Sequence, residues 1–372
     1  MHTFFSSWFF QDLVVALLIV LLTLLAVRLA KREYWKKAFQ AICQRRTARI
    51  SFAILSLYTG IALLDSIGWN TPLRDPVTQK IVRNPKTQEI LYGKGGSLLD
   101  HILAPLINRQ EKTYSAPLAN QLYTYETVLN SDGTTQRVHP KLRFPRQHLL
   151  GTDRIGIDVL YQACKSIRTG IIIGLFTTLL AIPFALFAGI SAGYFGGRID
   201  DLIQYIYTVL SSIPTILFIA AFMIIFGNGL FQLCFAMGIA SWTSLCRLLR
   251  GETLKLRESE FIQASHALGQ SDLRIILRHI LPNVLHLVLI TAVLRFSSEV
   301  LAEAALTYLG IGVSADTTSW GTMINDARTE LTRNPVIWWK LVTAFVFMLG
   351  LVLPANLFGD AVRDALDPRL RE

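Results

Sequence analysis

Apolar stretches of about 20 residues recur along this chain, and they limit the folds that are open to it. A helix needs about 20 consecutive apolar residues to cross the hydrocarbon core of a bilayer. Of the 372 residues, 52% are hydrophobic and only 17% are charged, which leaves little polar surface for a soluble domain of this size. The pattern predicts an all-α polytopic membrane protein with seven spans, at residues 8–27, 50–68, 169–192, 202–227, 229–247, 283–305 and 336–358.

The first and the fifth of these stretches differ from the others. No Lys or Arg precedes the first stretch, and several follow it. A secretory signal peptide has the reverse order, so we expect a retained span with its N-terminus outside. The fifth stretch is the least apolar, because Ser241, Trp242, Thr243 and Ser244 occupy its C-terminal half.

The basic residues of the short loops predict the orientation of the chain. Residues 28–49 hold eight Lys or Arg against one acidic residue, Glu33, and short basic loops stay in the cytoplasm. The segment 69–168 is then extracytoplasmic despite its Lys and Arg, since loops longer than about 60 residues cross largely regardless of charge. Its polar, turn-rich composition predicts a small folded or semi-folded insertion. Counting spans puts three further segments in the cytoplasm: 193–201, 248–282 and 359–372.

The net charge of +10 does not indicate nucleic-acid binding, because the basic residues mostly flank apolar stretches, where membrane topology explains them. The four cysteines have no paired spacing, which argues against a disulfide framework or a metal cluster; they are Cys43, Cys164, Cys234 and Cys246. Three histidines are spread through 69–168 and are expected on its solvated surface: His101, His139 and His148. His266 and His279 lack the spacing of a zinc helix.

The segment 248–282 has the pattern of two short helices joined by a glycine turn. Composition favours a helix over 252–268, and Gly269 suits the left-handed conformation that ends a helix. Ser271 can cap a second helix, which Pro282 interrupts or redirects before the sixth span. Such a protrusion either seats in the groove of a partner or lies at the membrane surface as an amphipathic connector, and the residues alone leave both open.

Four stretches, in this order, carry a family resemblance. They are LGTDRIGIDVL at 150–160, QASHALG at 263–269 with Leu-Pro at 281–282, EAALTYLGIGV at 303–313 with SWG at 319–321, and GDAVRDALDPRLR at 359–371. Together they resemble binding-protein-dependent ABC import permeases, and especially the C-type subunit of oligopeptide, dipeptide and nickel importers. The chain departs from the family pattern at Ile157, where Arg is usual, and in two letters of the Glu-Ala-Ala triplet at 263–265. The resemblance covers about 150–372.

This resemblance implies a type I ABC importer transmembrane bundle of six core helices, to which the chain adds an N-terminal helix and an extracytoplasmic insertion. It also implies a place in the bacterial inner (cytoplasmic) membrane, with the C-terminus in the cytoplasm. The partners that it implies are a second, B-type permease, two ATPase subunits, an extracytoplasmic solute-binding protein, a peptide substrate and membrane lipid. The predicted domain order is an extra helix and basic linker at 1–49, a first core helix at 50–68, the insertion at 69–168, the permease core at 169–358 and a tail at 359–372.

The chain has no GxxxxGK[ST] phosphate-binding loop, so we do not expect it to bind ATP in the usual P-loop way. The resemblance implies that the partner ATPases bind ATP and Mg²⁺ and that this chain holds no cofactor and catalyses no reaction. The resemblance implies that the 248–282 loop docks on an ATPase and passes its movement to the sixth span. The residues to which it assigns this coupling are Glu260, Gln263, Ala264, Ser265, Gly269, Leu281 and Pro282.

Three ionisable residues lie inside the sixth span. Arg295, Glu299 and Glu303 are spaced by four residues and share one face of a helix. Ionisable groups are costly in a bilayer unless they are paired or hydrated. They form either a polar stripe that lines a pathway or contacts a partner permease, or an internal Arg295–Glu299 pair with Glu303 near the interface.

Three classes of function remain open to a chain with these features. An importer of peptides is favoured, with nickel, short peptides, longer oligopeptides and peptide antibiotics all possible as cargo. A membrane-embedded enzyme would need a His-Asp or carboxylate constellation beside the membrane, for which Asp153 and Asp158 are candidates. A membrane scaffold that transports nothing is the third class.

Overall fold

The computed structural model describes residues 42–69, 96–129 and 135–366. The predicted span at 8–27 lies outside the described residues. Helices dominate the described part, with one β-hairpin. In chain order the elements are α1 (Arg46–Ser66), α2 (Leu98–Ile102), α3 (Ala104–Ile107), β1 (Glu126–Leu129), β2 (Thr135–Val138), α4 (Val159–Phe195), α5 (Gly197–Ser212), α6 (Thr215–Phe226), α7 (Leu230–Arg257), α8 (Glu260–Ala267), α9 (Asp272–Ile275), a π-helical turn (Ile276–Ile280), α10 (Leu281–Tyr308), α11 (Trp320–Glu330) and α12 (Trp339–Leu366).

Four stretches of the described chain are long and apolar enough to cross a membrane: α1, α4, the run from Asp272 to Tyr308, and α12. α5 and α6 together make a fifth candidate, which is bent by 86°. α7 has 28 residues, but the hydroxyl groups of 241–244 and the charge of Arg247 lower its apolarity. The prediction of a helical, multi-pass membrane protein is confirmed.

Pro214 explains the bend between α5 and α6. Ile213 (φ −84°, ψ 125°) and Pro214 (φ −54°, ψ 125°) both leave the helical conformation. A proline disfavours the helical conformation of the preceding residue and offers no N–H to the preceding turn. The stretch predicted as one span at 202–227 is therefore two helices.

The described residues form two compact units. The first, called here the insertion unit, contains 56–69, 96–129, 135–168 and 327–347. The second, called here the bundle unit, contains 42–55, 169–326 and 348–366.

The insertion unit has a small buried polar core. β1 and β2 pair antiparallel, with Glu126 opposite Val138. The carboxylate of Glu111 accepts hydrogen bonds from the backbone N–H groups of Arg143 (3.1 Å) and Phe144 (2.7 Å). Because a buried carboxylate must be hydrogen-bonded, Glu111 fixes the path of the loop after β2. This part of the chain is folded.

His148 lies inside this unit, so the expectation of a solvated surface histidine is wrong for this residue. Its side chain is 1% exposed, and Nδ1 lies 3.0 Å from the carboxylate of Asp158. The sequence places His148 in a polar, turn-rich stretch. Its acidic partner, Asp158, offsets the cost of burying the polar ring. Asp158 comes ten residues later in the sequence, and only the fold brings the two side chains together.

A second polar cluster joins three separate segments of the insertion unit. The ammonium group of Lys165 donates hydrogen bonds to Asp65 (2.6 Å) and Asp100 (2.9 Å). Burial opposes the ionisation of Asp100, but hydrogen bonds from Lys165, the backbone of Ser97 and the hydroxyl of Tyr161 outweigh it, so the pKa of this carboxyl is lowered. Ser97 also caps α2 in a capping box with Asp100.

The bundle unit has two apolar cores. One joins Tyr194 of α4 and Leu249 of α7 to Ile262 of α8 and Ile275 of α9. The other lies around Met237 of α7 and the neighbouring apolar residues of α4, α6 and α10. The first core matters for function, because it fixes the 248–282 loop to the spans on either side of it.

Candidate functional site

The first helix of the 248–282 loop begins later than predicted. The sequence favours one helix over 252–268, whereas α7 continues to Arg257 and α8 begins at Glu260. Ser259 separates them with an extended backbone (φ −74°, ψ 146°), and its hydroxyl donates to the carbonyl of Leu256 at 2.5 Å. Serine competes for backbone hydrogen bonds in this way and favours helix starts over helix interiors.

The turn at Gly269 is the one that the sequence predicts. Gly269 has a φ of +72°, in the left-handed region. Its N–H donates to the carbonyl of His266 (3.0 Å), and the N–H of Gln270 donates to that of Ser265 (3.2 Å). These two bonds form a Schellman motif, which satisfies the last carbonyls of α8. The turn is therefore a defined stop between α8 and α9.

After the turn the chain runs into the next span. Ser271 occupies the cap position of α9, although its hydroxyl makes no capping bond. Pro282 does not end the helix. It is preceded by a π-helical turn in which the N–H of Leu281 donates to the carbonyl of Ile276. Pro282 has no N–H to donate within this helix. The side-chain amide of the next residue, Asn283, donates to the carbonyl of His279 at 2.6 Å.

The predicted coupling residues lie on different faces of α8. Ile262 (1% exposed) and Ser265 (8%) face the bundle unit, and the hydroxyl of Ser265 donates to the carbonyl of Phe261 at 2.8 Å. Glu260, Gln263 and Ala264 are exposed. Large apolar side chains are also exposed along the loop, in α8, α9 and the π-helical turn, namely Phe261 (47% exposed), Leu268 (80%), Leu273 (67%) and Leu277 (55%). The loop is thus attached by one face and presents an apolar second face.

Arg295 and Glu299 are brought together, but loosely. Their nearest charged atoms are 4.0 Å apart, which is longer than a hydrogen bond. The guanidinium group of Arg295 instead donates to the hydroxyl of Ser244 on α7. Its Nη1 is buried with no hydrogen-bond partner among the described residues. An internal pair therefore accounts for only part of the hydrogen-bonding capacity of these two side chains.

Glu303 belongs to a separate network. It is 2% exposed, and its Oε1 accepts hydrogen bonds from the hydroxyls of Thr307 (2.8 Å) and Ser319 (2.9 Å). Ser319 lies in the loop that follows α10, so Glu303 fastens that loop to the end of the helix. Glu303 shares a helix face with Arg295 and Glu299 but serves this loop instead.

Sequence reasoning missed one group of residues beside this span. Ser211 and Thr215 flank the bend between α5 and α6, and Thr243 and Arg247 lie on α7 near them. The sequence signal for this group was the hydroxyl-rich stretch 241–244. From the sequence alone, this stretch shows only that the fifth predicted span is less apolar than the others. Its meaning depends on which helices pack beside it.

The two acidic residues that the sequence offers for an enzyme are buried and hold the backbone around them. Asp153 accepts hydrogen bonds from the backbone of Ile155 and Ile157, and Asp158 accepts one from the backbone of Leu160. The His148–Asp158 pair has side chains that are 1% and 0% exposed, so a substrate cannot reach it. Among the described residues no group of three His, Cys, Asp or Glu could hold a metal ion.

The membrane-length helices, joined by a loop that is folded back against the bundle, define a multi-pass helical membrane protein. Residues 181–372 match the family described as binding-protein-dependent transport system inner membrane component, and the chain belongs to this family. As a member of it, the chain is a non-catalytic membrane subunit that works with other subunits of an ABC transporter. The family that the motifs resemble is confirmed.

Several curated proteins are similar to this chain. The oligopeptide transport system permease protein OppC of Bacillus subtilis is 32% identical over 275 residues, which cover 74% of this chain and 83% of that protein. The dipeptide transport system permease protein DppC of Alkalihalophilus pseudofirmus is 37% identical over 225 residues, which cover 60% and 73%. A chain in a solved structure of the inward-facing MetNI methionine ABC transporter is 18% identical to this one, with a TM-score of 0.44, and the match covers 56% of this chain and 96% of that chain.

Proposed function

We propose that this chain is a permease subunit of an ATP-driven importer of peptides in the bacterial inner membrane. Its curated relatives are named as oligopeptide and dipeptide permeases, which supports peptides as the cargo. Its partners would be a second permease, two ATPases that bind ATP and Mg²⁺, and an extracytoplasmic solute-binding protein. The chain would supply half of the pathway and no catalytic group.

The apolar face of the 248–282 loop carries this proposal. Phe261, Leu268 and Leu273 are exposed on a loop whose opposite face is fixed by Ile262 and Ile275. Exposed apolar groups that cluster on a rigid surface are typical of protein contact sites. We infer that an ATPase subunit covers this face and that Gln263 and Ala264 lie within the contact.

The connection from the loop to the spans supports a mechanical role. The hydroxyl of Tyr194 at the end of α4 donates to the carboxylate of Asp272 at 2.8 Å, and α9 continues through the π-helical turn into α10. A displacement of α8 would therefore reach two spans through short, packed contacts. Closure of the ATPases would switch the permeases between inward-open and outward-open states.

Substitution of Ala264 tests the proposed function. Because Ala264 is exposed, Ala264→Trp should leave the fold of the chain intact, while the larger side chain should prevent seating of the ATPase. In proteoliposomes that hold the assembled importer, ATP-dependent peptide uptake should fall more than about tenfold, which corresponds to about 1.4 kcal/mol of lost contact energy. Ala264→Ser, which changes the volume little, is the matched control and should retain uptake. Normal uptake by Ala264→Trp would contradict the coupling role of the loop.

A further inference from the structure

One face of α7 is mostly polar, although it falls in the stretch 229–247 that the sequence predicts as the fifth span. Ala240, Thr243, Ser244 and Arg247 occupy positions i, i+3, i+4 and i+7 and so share a face of the helix. Thr243 is 13 residues from the start of α7 at Leu230, a distance of about 20 Å along the helix axis. The hydrocarbon core is about 30 Å thick. In the predicted topology the short turn between α6 and α7 lies at one membrane surface, which would put Thr243 about two thirds of the way across.

A cavity of about 120 Å³ opens between this face and the bend at Pro214. Its polar lining comes from Ser211, Thr215 and Thr243. Thr243 is only 9% exposed, and its hydroxyl has no hydrogen-bond partner in the described part of the chain. The cavity is therefore built with hydrogen-bonding capacity that this chain does not use.

Two positive groups lie beside residues that line the cavity. α6 begins at Thr215 with no side chain capping it, so its first N–H groups and the positive end of its dipole meet the cavity. The guanidinium group of Arg247 donates to the hydroxyl of Ser211 at 2.8 Å and lies over the ring of Tyr207, 5.1 Å from its centroid. Arg247 has no acidic partner among the described residues.

Arg295 adds a second cation on the other side of the same α7 face. Its bond to Ser244 places it there, and its Nη1 is the buried donor without a partner. Glu299, 4.0 Å away, is the acidic residue that approaches it. Two guanidinium groups against one carboxylate leave the polar face with an excess positive charge, which is costly in a membrane unless an anion joins it.

We propose that this polar face is the site in the membrane that accepts the C-terminal carboxylate of the transported peptide. The inference rests on the proposed function, since it names how the proposed cargo is held. The unpartnered donors of Arg295 and Thr243, together with the start of α6, match the acceptor oxygens of a carboxylate. Another oxyanion, the phosphate of an anionic lipid, has the same chemistry, so the experiment separates the two.

The test compares two forms of one peptide in the assembled importer. Proteoliposomes of phosphatidylcholine hold the permeases, the ATPases and the binding protein, and initial uptake is measured for a labelled tetrapeptide with a free C-terminal carboxylate and for its C-terminal amide. Each variant is compared with the wild type for each peptide, so the preference of the binding protein cancels. Arg295→Met should slow uptake of the free acid about tenfold, the effect of losing one charge-assisted hydrogen bond, and should leave uptake of the amide within about twofold.

Substitutions that change the side-chain volume little distinguish loss of binding from a folding defect. Thr243→Val keeps the shape of the side chain and should slow the free acid about threefold, as loss of one neutral hydrogen bond does, with the amide unaffected. Ser211→Ala should act in the same direction. Ser212→Ala is its matched control, because the hydroxyl of Ser212 donates to the carbonyl of Val209 at 2.7 Å and does not line the cavity.

Several outcomes would overturn the inference. Equal losses for both peptides would mean a structural role, and no loss in Arg295→Met and Thr243→Val would mean that the face binds no carboxylate. An effect that arises only after anionic lipid is added would assign the face to a lipid headgroup. A wild-type importer that takes up neither peptide, although its ATPases hydrolyse ATP, would contradict the proposed function and this inference with it.

Discussion

At the scale of single residues, Gly321 decides whether the Glu303 network can form. A Cβ at this position would lie 2.7 Å from the Cβ of Thr307 and 2.9 Å from Oε1 of Glu303. Both distances are shorter than van der Waals contact, so an added methyl group must displace the carboxylate or its donors. The network that joins α10 to the following loop therefore requires a glycine at position 321.

We therefore expect Gly321→Ala to destabilise the protein by about 1–3 kcal/mol, the usual cost of overpacking a close contact. This loss should appear although alanine favours helices more than glycine does. The measurement is thermal unfolding of the purified chain in detergent, followed by intrinsic tryptophan fluorescence.

Gly251 provides the matched control for this substitution. It also lies within a helix, α7, and a Cβ there would meet no atom within 4 Å. Gly251→Ala should be neutral or should stabilise the protein by up to about 1 kcal/mol through helix propensity. If both alanine variants unfolded at the same temperature, the packing explanation for Gly321 would be wrong.

At the scale of elements, a substitution at Gly269 tests the backbone conformation of the turn without changing side-chain packing. A Cβ at this position would meet nothing within 4 Å, yet the φ of +72° is one that residues with side chains rarely adopt. Any effect of a substitution must therefore come from the backbone. Asparagine tolerates the left-handed conformation, whereas β-branched residues do not.

Gly269→Val should accordingly uncouple ATP hydrolysis from uptake, while Gly269→Asn should keep most of the activity. The left-handed conformation costs a β-branched residue about 1–2 kcal/mol, enough to reorient α8 relative to α9. The measurement is the number of peptides taken up per ATP hydrolysed by the reconstituted importer. Equal ratios for the two variants would show that the geometry of this turn does not matter for coupling.

Local signals in the sequence predict the elements well and their interruptions less well. Gly269 was predictable because its role depends on neighbours within four residues. The break at Ser259 was not, because the helix-favouring composition continues on both sides of it. In the folded chain Ile262 and Leu249 belong to one apolar core. The bend at Pro214 was hidden in the same way, because a membrane helix tolerates proline when neighbouring groups satisfy the freed carbonyls.

At the scale of the whole molecule, the sites differ in how far their parts lie apart in the sequence. The 248–282 loop is continuous, so motif and spacing predict its outline. The candidate site on the polar face of α7 also needs Ser211 and Arg295, which lie 32 or more residues from Thr243 in the sequence. Contacts between residues so far apart in the sequence depend on how the helices pack, and the hydropathy pattern does not predict them.

The orientation of the chain can be tested with two leucine-to-cysteine changes. Leu149 (56% exposed) lies in the predicted extracytoplasmic insertion and Leu268 (80%) in the 248–282 loop. Cys43 is exposed and is first replaced by serine; the other three native cysteines are buried or partly buried. Because the short basic loops should stay in the cytoplasm, Leu149→Cys should react with a membrane-impermeant maleimide in spheroplasts. Leu268→Cys should react only after the inner membrane is disrupted. Labelling of Leu268→Cys in intact spheroplasts would put this loop on the wrong side for an ATPase.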